Sequence, residues 1–374
     1  MRIGLIGPAH PYKGGGARHT TELAHRLAAA GHDVVIESWR AQYPRRLYPG
    51  QQTVDAAEGE PYPHTQHSLA WYRPDGWLAV GRRLASADLV VFAFLTPFQV
   101  PPYLTILAGL GRPPGRPRTA AICHNVLPHE RRPGDVALTR TLLSRVDTVI
   151  THSAGQAAQA RELAPGATVL TVPIPPHLPV TDSEDLDAER AGVHAEQCNL
   201  LFFGIVRPYK GLDVLLRALA GAPAHVTLTV AGEFWGGTQP TEQLIAELGL
   251  RDRVTLRPGY VPATGIPALF AAADALVMPY REATASQNAL LAFAHGVPVI
   301  TTTAGALAEA VRDGVDGLTC APDDVEDLLR ALKEISDPQT AQRLRAGVRA
   351  WDPEPCWAVY LEPLLAGWSR EPAR

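Results

Sequence analysis

Short apolar runs, each closed by a glycine, a proline or a polar cluster, recur along the chain. Ile3–Ile6, Val34–Ile36, Leu89–Phe94, Thr119–Cys123, Thr148–Thr151 and Thr168–Val172 form a first series. Leu200–Phe203, Val226–Ala231, Val254–Leu256, Ala275–Met278 and Val297–Ile300 form a second. Unbroken apolar runs of this length read as strands covered on both faces, the signature of a parallel sheet flanked by helices. Helical spacing lies between them: Leu23 and Leu27 within Thr20–Ala30, stopped by Gly31, then Leu212–Leu219 and Ala268–Ala273. The order strand, Gly-rich loop, helix opens each series, which predicts two similar α/β domains facing each other. Their expected bounds are residues 1–178 and 198–350, with 179–197 as a linker that holds the acidic Asp182–Glu189 run. In the tail, 351–374, Trp357, Tyr360, Leu361 and Leu364 share a helical face that would pack back onto both domains.

Residues 40–77 carry no period and read as an irregular covering loop or lid. The aromatic residues there (Tyr43, Tyr48, Trp71, Tyr72 and Trp77) would either stack on a sugar or apolar acceptor, or bury one another.

The densest chemistry lies at Pro279–Asn288, between the strand Ala275–Met278 and a helix that ends at Gly296. Arg281, Glu282, Thr284, Ser286, Gln287 and Asn288 offer more hydrogen-bonding groups than a connection needs. The carboxyl end of a strand in an open α/β sheet is where ligands bind. A plain helix start, capped by Thr284 or Ser286 and favoured by Glu282, is the alternative. Arg207 and Lys210, at the entry to the helix Leu212–Leu219, make an anion site for which a diphosphate is the obvious occupant. Gly14, Gly15 and Gly16 would let backbone approach a bulky ligand. His124 stands at the carboxyl end of its strand, the favoured place for an active site. Glu37 also ends a strand, but Gly4, Gly7 and Gly14 do not give the dinucleotide spacing.

Across 374 residues, 46% are hydrophobic and 19% charged, which is globular and long enough for two cores. A net charge of −4 gives no reason to expect a nucleic-acid partner. Cys123, Cys198, Cys320 and Cys356 lack paired-ligand spacing and read as reduced thiols. His64 and His67 have no further ligand cluster, so no metal is expected. The first residues read as a strand rather than a leader, and no run approaches bilayer length. The expected location is cytoplasmic. Peripheral contact with the inner membrane face stays open through Arg45-Arg46, Arg112–Arg118 and Arg131-Arg132.

In combination, several of these motifs resemble the family-4, or group 1, glycosyltransferases. They are Gly204 to Lys210-Gly211, Pro279–Thr284, Gly296-Val297-Pro298-Val299, and Gly305…Glu309 followed by Asp313–Leu318. The resemblance implies the GT-B fold: two Rossmann-like domains across a cleft, with a C-terminal helix crossing back. It implies a retaining, metal-independent transfer from a nucleotide-diphosphate sugar to an acceptor hydroxyl, with no cofactor besides that co-substrate. The donor would lie in the C-terminal domain and a saccharide, lipid-linked or small-molecule acceptor in the N-terminal one. By the same resemblance Gly15, Gly16, Arg207 and Lys210 serve the donor diphosphate, with Thr284, Ser286 and Gln287 in the sugar and phosphate loop. His124 lies near the transferred sugar, Glu309 near the nucleotide, and Glu282 stands in for a catalytic carboxylate. The chain departs from the family's Glu-x7-Glu pair, whose positions fall on Ala283 and Leu291. That departure keeps a non-catalytic nucleotide-sugar binder in view, beside an epimerase or a phosphorylase.

Overall fold

The computed structural model describes residues 1–44, 47–48, 51–54, 59–128, 130–175, 197–283, 286–348 and 353–366. Two compact units divide the chain: Met1–His177 with Pro353–Arg374, and Leu178–Asp352.

The first unit runs β1 (Arg2–Ile6), α1 (Gly15–Ala29), β2 (Asp33–Ala41), β3 (Thr65–Ala70), α2 (Pro74–Leu84) and β4 (Leu89–Phe94). It continues through α3 (Val100–Gly109), β5 (Arg118–Cys123), α4 (Asp135–Leu143), β6 (Thr148–Thr151), α5 (Ala154–Leu163) and β7 (Thr168–Thr171). These strands form one parallel sheet in the order β3-β2-β1-β4-β5-β6-β7.

The second unit runs β8 (Cys198–Phe203), α6 (Leu212–Gly221), β9 (Val226–Gly232), α7 (Gln239–Glu247), β10 (Val254–Pro258), α8 (Ile266–Ala271) and β11 (Ala275–Met278). Then come α9 (Gln287–Ala294), β12 (Val299–Thr302), β13 (Gly317–Cys320), α10 (Val325–Ile335) and α11 (Pro338–Gly347). Its sheet, β10-β9-β8-β11-β12-β13, is again parallel and repeats the first order from the third strand to the sixth. Two parallel sheets with interleaved helices, wound alike, make a two-domain α/β fold of the GT-B class. In each sheet the order reverses between the first strand and the fourth, β1/β4 and β8/β11. Loops diverge there and leave a crevice at the carboxyl ends.

The apolar runs became fully buried strands, as in β4, where all six residues are buried. A last helix, α12 (Pro353–Ala366), belongs to the first unit. Trp357, Tyr360 and Leu364 lie three and four residues apart and join Ile3, Leu5 and Ile36 in one cluster. Burying each of the two aromatic side chains stabilises by about 3 kcal/mol.

Two expectations need correction. Residues 40–77 are not irregular throughout: β3 spans 65–70 and α2 starts at 74. β3 is an edge strand with only Leu69 and Ala70 buried, so its sequence carries no apolar run. α2 buries Trp77, Val80 and Leu84 along one stripe. The Trp77 indole donates to the carbonyl of Ala70 at 2.7 Å, which makes it a core residue and not a stacking surface. Helix α1 also starts at Gly15, five residues before the first clear period, because its glycine turn has no apolar anchor to show in the sequence.

Candidate active site

In the second unit, the loops after β8, β11, β12 and β13 lock together around the β8/β11 crevice. Arg281 is the staple. Its guanidinium donates to both carboxylate oxygens of Asp213 (2.9 and 2.7 Å), to Asp323 (2.9 Å) and to the Pro208 carbonyl (2.8 Å). The Asp213 carboxyl is held below its ordinary range chiefly by this hydrogen bond. The Arg281 amide also donates to the Tyr209 carbonyl at 2.7 Å. Glycines admit the close approach: Gly211 has φ 67°, and a Cβ there would lie 2.0 Å from the Pro279 carbonyl oxygen. Gly305, at φ 56°, would put a Cβ 1.8 Å from the Ala283 carbonyl oxygen.

Within this frame Lys210 is buried, 9% exposed, with its ammonium 5.2 Å from the ring centre of Tyr280. Among the described residues it has no carboxylate partner and no side-chain hydrogen bond. Burial lowers its pKa first of all; Tyr209 opposes this and Arg207 adds to it. A cation desolvated without a counter-charge is costly, and an anion placed beside it would offset that cost. Arg207 lies 4.6 Å over the ring of Trp235, a stacking that fixes its plane. Asn288 donates to the Phe203 carbonyl at 3.0 Å, closing the crevice floor. Burial pushes the Tyr280 phenol up to about 12, against hydrogen bonds with Ser286 and Asn288.

Ser286 caps α9, its hydroxyl accepting the Asn288 amide at 3.3 Å, and Gln287 is the helix's first residue. The capping role weighed from the sequence therefore falls to Ser286. Thr284 lies outside the described residues. Glu282 and Glu309 are exposed, on the β11 loop and on a short 3-10 turn. Leu291, where the family pattern would carry a carboxylate, is buried with Phe293 and Leu269.

In the first unit, His124 follows β5 directly and its amide donates to the Phe94 carbonyl. Its Nε2 is inaccessible and has no hydrogen-bond partner among the described residues, although the residue keeps some surface. Two further histidines share its surroundings, with ring centres 5.0 Å (His19) and 5.6 Å (His152) away. His152 donates from Nδ1 to the Val172 carbonyl at 3.0 Å, and the Tyr360 hydroxyl lies 3.0 Å from Nε2 of His19. Burial lowers the imidazole of His124 to about 3, with His152 adding to the effect, and that of His152 to about 4. Both rings are therefore neutral at pH 7. Gln156 ties the β5 and β6 ends together, accepting the His152 amide and donating to the His124 carbonyl, both at 3.2 Å. His19 and His152 went unnoticed in the sequence; the one signal was that His152, like His124, sits just past a strand.

Gly15 has open space where a Cβ would project, whereas a Cβ on Gly16 would come within 2.4 Å of Leu95. Gly15 thus borders open space, and a side chain at Gly16 would need the end of the Leu95 side chain to shift. Glu37 is buried and accepts from two guanidinium nitrogens of Arg83 and from the Ser68 hydroxyl, a structural role. The 111–118 turn lines a cavity of about 750 Å³ at the amino ends of β5–β7, away from the strand ends described above. Its Arg116 pairs with Asp147 at 2.9 Å. All four cysteines are free. Among the described residues no helix is long and apolar enough to cross a membrane, and no cluster of three His, Cys, Asp or Glu side chains is placed to hold a metal.

Two family models match the chain in tandem: Glycosyltransferase Family 4 over residues 13–173, and Glycosyl transferases group 1 over residues 197–337. The chain belongs to the family-4 glycosyltransferases. Members of this family move a sugar from a nucleotide sugar to an acceptor. The chain is 32% identical to the D-inositol 3-phosphate glycosyltransferase of Mycolicibacterium smegmatis over 49% of its own length and 43% of that protein's. It is 29% identical to the glycogen synthase of Mycobacterium tuberculosis over 93% of its length and 89% of the relative's. Solved structures share the fold at lower identity. HepE of Anabaena with UDP-glucose superposes with a TM-score of 0.74 at 17% identity, covering 98% of this chain and all (100%) of that one. Sucrose-phosphate synthase of Thermosynechococcus elongatus gives 0.73 at 20%, covering 98% and 96%.

Proposed function

We propose that this glycosyltransferase uses a nucleoside-diphosphate sugar and transfers its sugar with retention, without a metal ion, to an acceptor held by the first unit. The observation that carries the donor assignment is Lys210, buried without a carboxylate partner among the described residues. Lys210, the Arg207 guanidinium and the amides at the start of α9 would receive the diphosphate. As the bond from the anomeric carbon to the phosphate oxygen breaks, these donors stabilise the leaving charge. The acceptor hydroxyl attacks the same face, and its proton passes to the departing phosphate oxygen. His124, neutral and keeping some surface just past β5, would help to orient the acceptor within the first unit. The UDP-glucose in the HepE structure supports trying uridine nucleotides first.

The test is a panel of UDP-, GDP- and ADP-sugars, read by thermal shift and by nucleoside diphosphate release. At least one donor should raise the melting temperature and turn over, EDTA should leave the rate intact, and proton NMR should show the donor's anomeric configuration in the product. An inverted product or a rate abolished by EDTA contradicts the corresponding part. Binding without release would make the chain a non-catalytic binder, the reading that buried Leu291 favours.

A further inference from the structure

Among the described residues, two large aromatic side chains stand exposed: Trp71 at 37% and Tyr72 at 54%. They follow β3 and continue into a strip. The Trp71 ring lies 5.3 Å from Tyr72 and 6.4 Å from Phe98, Phe98 lies 5.7 Å from Tyr43, and Tyr43 stacks on Tyr48 at 6.0 Å. Phe98 sits in the turn after β4, so the strip runs from the carboxyl end of the edge strand toward the strand beside His124.

The backbone beneath it is fixed. The Trp71 amide donates to the Ala41 carbonyl at 2.9 Å, and the Gln99 side chain accepts the Leu95 and Thr96 amides at 2.8 and 3.2 Å. Such rings meet a ligand already ordered, which removes part of the entropic cost of binding. Beside the exposed pair, Arg73 and Asp75 form a two-bond ion pair, 3.1 and 2.6 Å. Arg73 is thereby neutralised and makes a poor phosphate site, and a charged rim suits a hydrocarbon tail badly. Flat rings bordered by a carboxylate and a guanidinium suit a pyranose, which offers a C–H face to stack and hydroxyls to hydrogen-bond.

We propose that Trp71 and Tyr72 form a distal acceptor subsite that stacks a sugar ring, and that the acceptor is an extended saccharide. The inference rests on the transferase reading above. Four strand spacings separate β3 from β5, about 19 Å at ~4.8 Å each, so one ligand serving both Trp71 and His124 must contain more than one sugar.

The experiment compares wild type, Trp71→Ala, Tyr72→Ala and Trp71→Phe, with the nucleotide sugar the protein uses. Acceptors are p-nitrophenyl glycosides of one, two and three sugar units, with a phenol and a long-chain alcohol as non-sugar controls. In wild type, acceptor KM should fall as sugar units are added. Trp71→Ala and Tyr72→Ala should lose that gain, raising KM for the trisaccharide about tenfold while donor KM and donor hydrolysis stay unchanged, and Trp71→Phe should recover most of it. Transfer to the non-sugar controls alone, no transfer to any saccharide, or an unchanged trisaccharide KM in Trp71→Ala overturns the subsite. Absence of any nucleotide-sugar binding in wild type would instead overturn the transferase reading.

Discussion

Replacing Lys210 by Met separates the two things a buried lysine can do. If the ammonium were a structural element, its loss would weaken the fold. The geometry says the reverse. Lys210 is 9% exposed, its ammonium faces the Tyr280 ring at 5.2 Å, and among the described residues it pairs with no carboxylate. Its lowered pKa records that the surroundings disfavour the charge. Methionine fills similar volume without a charge, so the ligand-free protein should be unchanged or stabilised by about 1 kcal/mol, a melting temperature raised by roughly 2–4 °C. Affinity for a nucleoside diphosphate should move the other way. Removing one partner of a desolvated charge pair costs about 2–5 kcal/mol, or at least a thirtyfold rise in Kd. Calorimetric titration with UDP, GDP and ADP, beside thermal melts of the ligand-free proteins, reads both quantities. A variant that melts lower and binds the nucleotide as well as wild type would refute the assignment.

Three further outcomes follow from the same geometry. Arg281→Ala should cost the fold only about 1 kcal/mol in chemical denaturation, because Asp213 and Asp323 are 42% and 64% exposed. It should weaken nucleotide binding more than that in calorimetry, since it frees the 207–211 loop from the 279–283 loop. Gly211→Ala should destabilise by at least about 2–3 kcal/mol and lower the yield of folded protein, since the added carbon meets the Pro279 carbonyl at 2.0 Å in a left-handed backbone. For His152 the folded pKa, about 4, lies below the ordinary 6.5, so the unfolded chain takes up its proton first. Stability is then full above pH 6.5 and is lost as pH falls toward 4, by about 3 kcal/mol. His152→Asn should remove this share of the slope of the stability–pH curve and leave the share that His124 contributes through its own lowered pKa.

The strands were legible because a parallel sheet buries both faces and writes each strand as a continuous apolar run, as Leu89–Phe94 and Ala275–Met278 show. β3 was not, because an edge strand with two buried residues has no such run. Arg207 and Lys210 were legible as two cations at a helix entry. The lack of a carboxylate beside Lys210 was not, because it depends on which loops close over residue 210. The pairing of Arg281 with Asp213 and Asp323 joins residues 68 and 42 positions apart, and no local spacing encodes it. The cluster of His19, His124 and His152 likewise draws on α1 and on the ends of β5 and β6. The aromatic residues of 40–77 were legible as a group but not divided. Trp77 turned inward through its hydrogen bond to Ala70, and Phe98 joined Trp71 and Tyr72 from a turn outside the segment.

The most direct test of the donor site is a crystal structure of the protein with a bound nucleoside diphosphate. The account predicts a phosphate oxygen within hydrogen-bonding distance of the Lys210 ammonium, with the diphosphate lying over the amides that open α9. A diphosphate bound elsewhere, with Lys210 still unpaired, would contradict it.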